Sequence, residues 1–185
     1  MLKNVAFVLA VIAASSLFVG ASVANAARYA VDLTAEHLAA YGASTDESAE
    51  YYTLGLPIPE VIRGKELYGA YVELYVDVES VEKDGPVVDT PVLEVFALKS
   101  AFAGQVDEQQ LGAPAFGPRN VARGEDRRVI FDVTDIVRTY LEDPASNHGL
   151  IFGSLTGIRS GRFTVKSGVL GRDAIARIIF HFRDR

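Results

Sequence analysis

The chain has 185 residues, no cysteine and a formal net charge of −6 at neutral pH. The negative charge argues against nucleic acid or an anionic membrane as the partner. Because there is no cysteine, packing must stabilise the fold without disulfides, and a chain of this length can bury enough surface to do so as one domain.

The first 26 residues have the pattern of a secretory signal peptide. Lys3 precedes an uncharged apolar stretch, and Ala24 and Ala26 occupy the −3 and −1 positions of a predicted cleavage site. A transmembrane anchor is the alternative, but small and polar residues interrupt the run before it reaches the roughly 20 apolar residues that a span needs. We therefore expect residues 1–26 to be removed and residues 27–185 to form one exported domain, periplasmic or extracellular.

The mature chain begins with a mixed pattern, in which Thr34 to Tyr41 is predicted to be a helical turn capped by Thr34. Short apolar segments follow, separated by Gly- and Pro-rich turns. The strongest is Tyr68 to Val78, whose alternation indicates a half-buried antiparallel strand. The other predicted strands are 51–56, 91–98, 129–133, 150–154, 162–167 and 175–182, with a further edge strand between 104 and 120.

One short helix interrupts the strands. Thr134 is the predicted N-cap, and Asp135 lies at the positive end of the helix dipole. The apolar residues at helical spacing are Ile136, Val137, Tyr140 and Leu141. Many short strands with one helix predict an all-β fold, an antiparallel β-sandwich or jelly roll, with the helix as a plug at one end.

Two segments resemble the C-terminal half of DNRLRE-type domains, a group similar to alginate-binding carbohydrate modules and to the jelly roll of TGF-β propeptides. Phe131 to Leu141 is similar to their strand ending in Asp-Val-Thr and a helix carrying an aromatic residue, with Tyr140 at the usual tryptophan position. Asn147 to Leu150 resembles their Asn-x-Gly-Leu turn. The strands Ala70 to Val76 and Ala176 to Phe182 resemble the family's strands.

The resemblance covers about residues 51–182. It implies a non-catalytic secreted β-sandwich, often attached to larger surface proteins and in some members binding acidic polysaccharide. The segment before Tyr51 does not match, and the Pro-x-Leu sequence that usually precedes the last strand is absent. The resemblance implies a fold and a class of function without naming a ligand.

No catalytic constellation is found in the sequence. His37, His148 and His181 lack zinc-ligand spacing, and there is no nucleophile elbow or phosphate-binding loop. Asp77 and Glu79 share the polar face of one strand, where a solvated surface is expected rather than a pair of catalytic carboxylates. We predict that the protein is not an enzyme.

Cofactor candidates are limited to calcium. Asp84 and Asp89 offer the oxygen ligands that calcium prefers, but no EF-hand spacing supports such a site. We expect no other cofactor.

Two groups of residues are candidates for ligand binding. Tyr71 and Tyr75 lie on one side of a strand with Glu73 between them, so the rings can stack on sugars while the carboxylate orients hydroxyls. The alternative is that these tyrosines are buried as cross-strand pairs. The second group is a basic cluster, Arg159, Arg162 and Lys166, and a further basic patch contains Arg119, Arg123, Arg127 and Arg128.

These observations favour an exported binding domain whose partner is an acidic polysaccharide or another surface component. The alternative is a structural or adhesive subunit that self-associates through an exposed sheet edge or docks on a cell-surface protein. A small polysaccharide lyase or hydrolase is the third hypothesis.

Overall fold

The computed structural model describes residues 26–41, 49–80, 90–117, 120–155 and 161–185. Within them the chain forms two five-stranded antiparallel sheets and one α-helix. The predicted signal peptide lies outside the described residues, apart from Ala26. The elements are β1 (Ala27–Leu33), β2 (Leu38–Tyr41), β3 (Tyr51–Leu54), β4 (Glu66–Ser80), β5 (Glu94–Leu98), β6 (Leu111–Pro114), β7 (Gly124–Asp132), α1 (Thr134–Glu142), β8 (Leu150–Gly153), β9 (Gly161–Val165) and β10 (Ala176–Arg183).

Strand pairing is nested from the ends of the chain towards its middle. Sheet A has the order β1-β10-β4-β7, with β9 beside the second half of β4, and sheet B has the order β2-β3-β8-β5-β6. Without the additional strands β2 and β9, the first strand pairs with the last, the second with the seventh, the third with the sixth and the fourth with the fifth. This is an antiparallel ribbon rolled into a jelly roll. The predicted all-β sandwich is confirmed.

The core lies between the two sheets, and β4 supplies its centre. The alternation predicted for this strand is confirmed, because every second residue from Ala70 to Val78 is at most 3 % exposed. Sheet B contributes Tyr52 and Phe152, whose rings stack with centroids 5.2 Å apart. The Tyr52 hydroxyl donates a hydrogen bond to the Phe163 carbonyl on β9 (2.6 Å) and so connects the two sheets.

Helix α1 closes one end of the sandwich, as predicted. Ile136, Val137 and Tyr140 are buried, and the Tyr140 hydroxyl donates a hydrogen bond to the Gly149 carbonyl (2.9 Å). Burial raises the pKa of Tyr140 to about 12. The Asn147 side chain in turn donates to the Leu56 carbonyl (2.8 Å), so the Asn-x-Gly-Leu turn holds the helix against the end of sheet B.

The prediction that Thr134 is the N-cap was wrong by one position, because Val133 is the N-cap. Thr134 is the first helical residue, and the Asp132 carboxylate accepts a hydrogen bond from its backbone N–H (2.9 Å). The Thr134 hydroxyl instead accepts from the Ala70 N–H (2.9 Å). The Asp-Val-Thr sequence therefore fixes the start of the helix to the central strand β4.

The prediction of a helical turn from Thr34 to Tyr41 was only partly right. A single 3-10 turn covers Ala35–His37, and β2 follows it. Leu38 faces Leu54, and Tyr41 faces Tyr51 of β3. Pairing with a strand distant in sequence outweighs a weak local helix signal here. Strand β1, which the sequence pattern did not predict, pairs along its whole length with β10.

Candidate functional site

The predicted ligand-binding residues in the described part of the chain lie on one surface. Strand β9 pairs with the second half of β4, where Arg162 faces Glu79. Alternate residues of a strand share a face, so Arg162 and Lys166 lie on the side that carries Tyr71, Glu73 and Tyr75. We call this surface, which points away from the core, the outer face of sheet A. Arg159 lies outside the described residues.

Glu73, predicted to orient the hydroxyls of a bound sugar, is buried. Strand β4 is central, so neighbours on both sides cover it: Arg177 of β10 and Ile130 of β7 stand directly opposite Glu73. The Arg128 Nε donates a hydrogen bond to the Glu73 carboxylate (2.5 Å). This hydrogen bond, with the charge of Glu73, raises the pKa of Arg128. Glu73 therefore holds a fixed ion pair, as a buried carboxylate requires.

The two predicted tyrosines are half-buried, an outcome between the two alternatives. The Tyr71 ring meets His181 of β10 edge-on, with centroids 5.8 Å apart. It also leans over Gly69, where a Cβ would lie 3.0 Å from the ring. Tyr75 stands opposite Arg128 of β7. Both residues are only partly buried, so each keeps part of its surface open to solvent.

A β-bulge adds a third tyrosine to this surface. Leu67 faces Phe182 and Gly69 faces His181, which leaves Tyr68 as the extra residue between two pairs. Tyr68 is 45 % exposed and its ring lies 5.9 Å from His181. We call Tyr68, His181, Tyr71 and Tyr75 the aromatic row. The strand pattern alone predicts Tyr68 on the opposite face, because the bulge leaves no signal in the local sequence.

A cleft of about 310 Å³ continues from the Tyr68 end of the row. Phe116, 75 % exposed, stands at this cleft, and its backbone pairs with that of Asp132. Arg138, paired with Asp135 at 2.9 Å, also lines it. The sequence offered only one signal for Phe116, an isolated aromatic residue in a Gly- and Pro-rich loop.

Lys166 and Asp77 form the second fixed ion pair of the outer face. The Lys166 Nζ donates to Asp77 Oδ2 (2.8 Å), and the Asp126 N–H donates to Asp77 Oδ1 (2.8 Å). Burial acts to raise the pKa of Asp77, but these hydrogen bonds and the Lys166 charge together lower it. Asp77 is therefore ionised at neutral pH and is poorly suited to act as a general acid.

Arg162 differs from three neighbouring cations of the outer face. Arg128, Lys166 and Arg177 each pair with a carboxylate. The Arg162 side chain makes no hydrogen bond or ion pair within the described part of the chain, and its buried Nε has no partner. Buried polar atoms are normally hydrogen-bonded. Arg162 is therefore one candidate on this face for pairing with an anionic ligand, with Glu79 directly opposite it on β4.

The other basic patch is not a single cluster in the described residues. Arg127 donates to the Arg123 carbonyl (2.8 Å), whereas Arg128 pairs with Glu73. Arg119 lies outside the described residues.

The calcium prediction falls on Asp84 and Asp89, which lie outside the described residues. In the ranges that the structure does describe, no group of three or more potential metal-ligating side chains is found. In those same ranges no helix has the length and apolar character to cross a membrane.

A second aromatic cluster lies on the outer face of sheet B. Tyr41 and Tyr51 stack with centroids 5.8 Å apart, and both contact Phe102 edge-on. The Tyr51 hydroxyl donates to the Gly104 carbonyl (3.2 Å). These three rings pack against one another. A tyrosine of this cluster can therefore serve as a control for substitutions in the aromatic row.

A scan against protein-family models and a search of curated proteins found no match to this chain. The likeness to DNRLRE-type domains therefore stays a prediction. The two motifs that carry it have structural roles: Asp132 and Thr134 fix the helix to β4, and Asn147 and Gly149 fix it to sheet B.

Proposed function

We propose that the protein is an exported, non-catalytic module that binds polysaccharide through the outer face of sheet A. The observation that carries the proposal is the aromatic row, whose three tyrosines have partly open rings and lie on the same face as Arg162. Rings of this kind offer flat apolar surface and a polar hydroxyl, a combination that suits the mixed surface of a sugar.

The spacing of the row suits an extended ligand. Tyr71 and Tyr75 are four residues apart on β4, which corresponds to about 13 Å along the strand. A linear polymer lying along β4 would contact both rings and reach Tyr68 and the Phe116 cleft at one end. Between the rings, the Arg128 side chain, paired with the buried Glu73, is partly exposed and offers hydrogen-bond donors to such a polymer.

Charge favours an acidic polymer over a neutral one. The chain as a whole repels polyanions, so attraction depends on local groups. Arg162 has no carboxylate partner among the described residues, whereas the neighbouring cations do. Binding that depends on such a charge weakens as salt is added.

The test is retention of the exported protein on immobilised alginate, pectin and a neutral glucan. We expect retention on the acidic polymers, which decreases with salt. The substitutions Tyr71→Ala and Tyr75→Ala should each weaken it about tenfold, since stacking contributes about 1–3 kcal/mol for a base on an aromatic ring and we take a similar value for sugar. Arg162→Gln should weaken retention on the acidic polymers and leave retention on the neutral glucan unchanged.

The matched control is Tyr51→Ala, which removes a half-buried tyrosine from the outer face of sheet B. It should leave retention unchanged. Absence of retention of the wild-type protein on every polymer, or an equal loss in the Tyr51 variant, contradicts the proposal. Thermal unfolding of each variant separates lost binding from lost folding.

A structural subunit is the second candidate, and the open edge of β1 favours it. Arg28, Tyr29 and Ala30 are exposed there. Concentration-dependent self-association without retention on any polymer would favour this function. A fall in polymer viscosity during incubation with the protein would instead support a lyase or hydrolase.

A further inference from the structure

The free edge of β1 exposes backbone groups. Strand β1 pairs with β10 on one side, and no described strand pairs with the other. The Leu33 carbonyl accepts from the Ile175 N–H (2.8 Å) and so points towards the β10 side. Because these groups alternate along a strand, those of Arg28, Ala30 and Asp32 point to the open edge. Such an edge is a template for another strand.

Three other sheet edges within the described ranges are less suited to pairing. Strand β6 ends in Pro114, and β2 has only four residues. Strand β7 contains Asp126 at a positive φ of 50°, where its register with β4 shifts, and Phe116 bridges its last residue. Short strands, proline and irregular register all hinder edge pairing.

The sequence of β1 is complementary to itself. We propose that β1 pairs antiparallel with β1 of a second copy of this chain, about a two-fold axis at Ala30. In this register Arg28 faces Asp32 of the second copy, Tyr29 faces Val31, and Ala30 faces itself. The two-fold symmetry repeats each contact, as in most homodimers.

The charges agree with this register. Arg28 has no ion pair within the described residues. Asp32 accepts from Arg177 at 2.5 and 3.2 Å, and a carboxylate can accept about four hydrogen bonds in all. Asp32 can therefore take Arg28 of the second copy as an additional partner. About six main-chain hydrogen bonds form between the three facing pairs at residues 28, 30 and 32.

The uncharged residues also agree. Tyr29 is 42 % exposed and Val31 is half-buried. Aromatic residues opposite β-branched residues are among the favourable cross-strand pairs, and this register forms two of them. The small side chain of Ala30 leaves room for close approach at the axis.

The dimer would present two binding faces on the same side, an extension that rests on the proposed function. A two-fold axis through paired edge strands is perpendicular to the sheet, so both outer faces of sheet A point the same way. The two β4 strands are separated by five strand spacings, about 24 Å. One polymer, or two neighbouring polymers, could then engage both aromatic rows.

Cysteine cross-linking tests the register, because the natural chain has no cysteine. Facing Ala30 residues would have Cα atoms about 5.5 Å apart, within the range of a disulfide. The variant Ala30→Cys, exported and purified with its mass verified, should form a disulfide-linked dimer. Ala39→Cys, an exposed alanine on edge strand β2, should not. No cross-linking at position 30, or equal cross-linking at both positions, overturns the proposal.

Charge at the axis provides an independent test. Ala30→Lys and Ala30→Asp should each sediment as a monomer, since each introduced charge faces its own copy, and an equal mixture should form a dimer. Ala39→Lys should sediment as the wild type does, as a dimer at high concentration. A wild-type protein that stays monomeric overturns the proposal. A dimer without affinity for polysaccharide overturns only the proposed function.

Discussion

On the outer face of sheet A, most charged side chains are held in ion pairs, and only those without such a partner are free to pair with a proposed ligand. Glu73 and Asp77 are each held by a cation from a neighbouring strand or from the segment after β9. Arg162 is left without such a partner among the described residues. The proposed binding of an acidic polymer therefore depends on which basic side chains lack a carboxylate partner and not on the number of basic residues.

The Glu73–Arg128 pair should stabilise the fold mainly because Glu73 is buried. Arg128→Ala leaves the carboxylate without its hydrogen bond, and removing one member of such a pair is costly. We expect a clear fall in the thermal unfolding temperature. Adding Glu73→Gln should restore part of it, because a neutral amide is easier to bury than a charge. A double variant less stable than Arg128→Ala contradicts this interpretation.

The Asp77–Lys166 pair predicts a pH dependence of stability. The pKa of Asp77 is lowered in the folded state, so its contribution is complete above the ordinary carboxyl value of about 4 and is lost as pH falls through the folded value. Asp77→Asn should unfold at a lower temperature than the wild type at pH 7. The difference should shrink progressively below pH 4.

The control for this measurement is Glu142→Gln, which changes an exposed carboxylate at the end of α1. Its unfolding temperature should not show the fall at pH 7 that is expected for Asp77→Asn, nor the disappearance of that fall below pH 4. A difference between Asp77→Asn and the wild type that is constant from pH 7 to pH 3 would contradict the ion-pair interpretation.

At the scale of elements, α1 acts as a structural plug held at both ends. Asp132 and Thr134 fix its start, and the Tyr140 hydroxyl fixes its last turn to Gly149. Gly149 is in a left-handed conformation with φ 86°, and a Cβ there would lie 2.6 Å from the Leu54 carbonyl oxygen. The helix motif therefore serves the fold, and the proposed binding surface consists of other residues.

Substitutions at Tyr140 should separate its hydrogen bond from its packing. Tyr140→Phe should cost about 1 kcal/mol, because the Gly149 carbonyl still accepts from the Leu98 N–H (3.0 Å). Tyr140→Ala should cost about 3–5 kcal/mol, since it leaves a cavity beneath the helix. Denaturant unfolding measures both. Thr139→Ala, on the exposed side of the same helix, should change stability much less.

At the scale of the whole molecule, the jelly roll brings distant segments of the chain onto one face. Strand β9 lies beside β4 although more than 80 residues separate them. Strand β1, near the start of the described chain, becomes an outer strand of the same sheet. The proposed binding face and the proposed dimer edge therefore belong to one continuous surface.

Bivalent binding is the prediction at this scale. The wild-type dimer and the monomeric Ala30→Lys variant should bind a short soluble oligosaccharide equally well, because each outer face is intact. On the immobilised polymer the dimer should bind at least about tenfold more tightly, since the second contact becomes intramolecular. Equal affinity of the two proteins for the immobilised polymer would contradict bivalency.

The sequence by itself determined the class of fold and the plug. The alternation from Ala70 to Val78 and the helical spacing from Ile136 to Tyr140 are local patterns, and burial of one face follows from each. Only the tertiary structure decided that Glu73 is buried, that a bulge turns Tyr68 outward, and that β9 brings Arg162 beside β4. These outcomes depend on the register between strands far apart in the chain, which a local pattern does not contain.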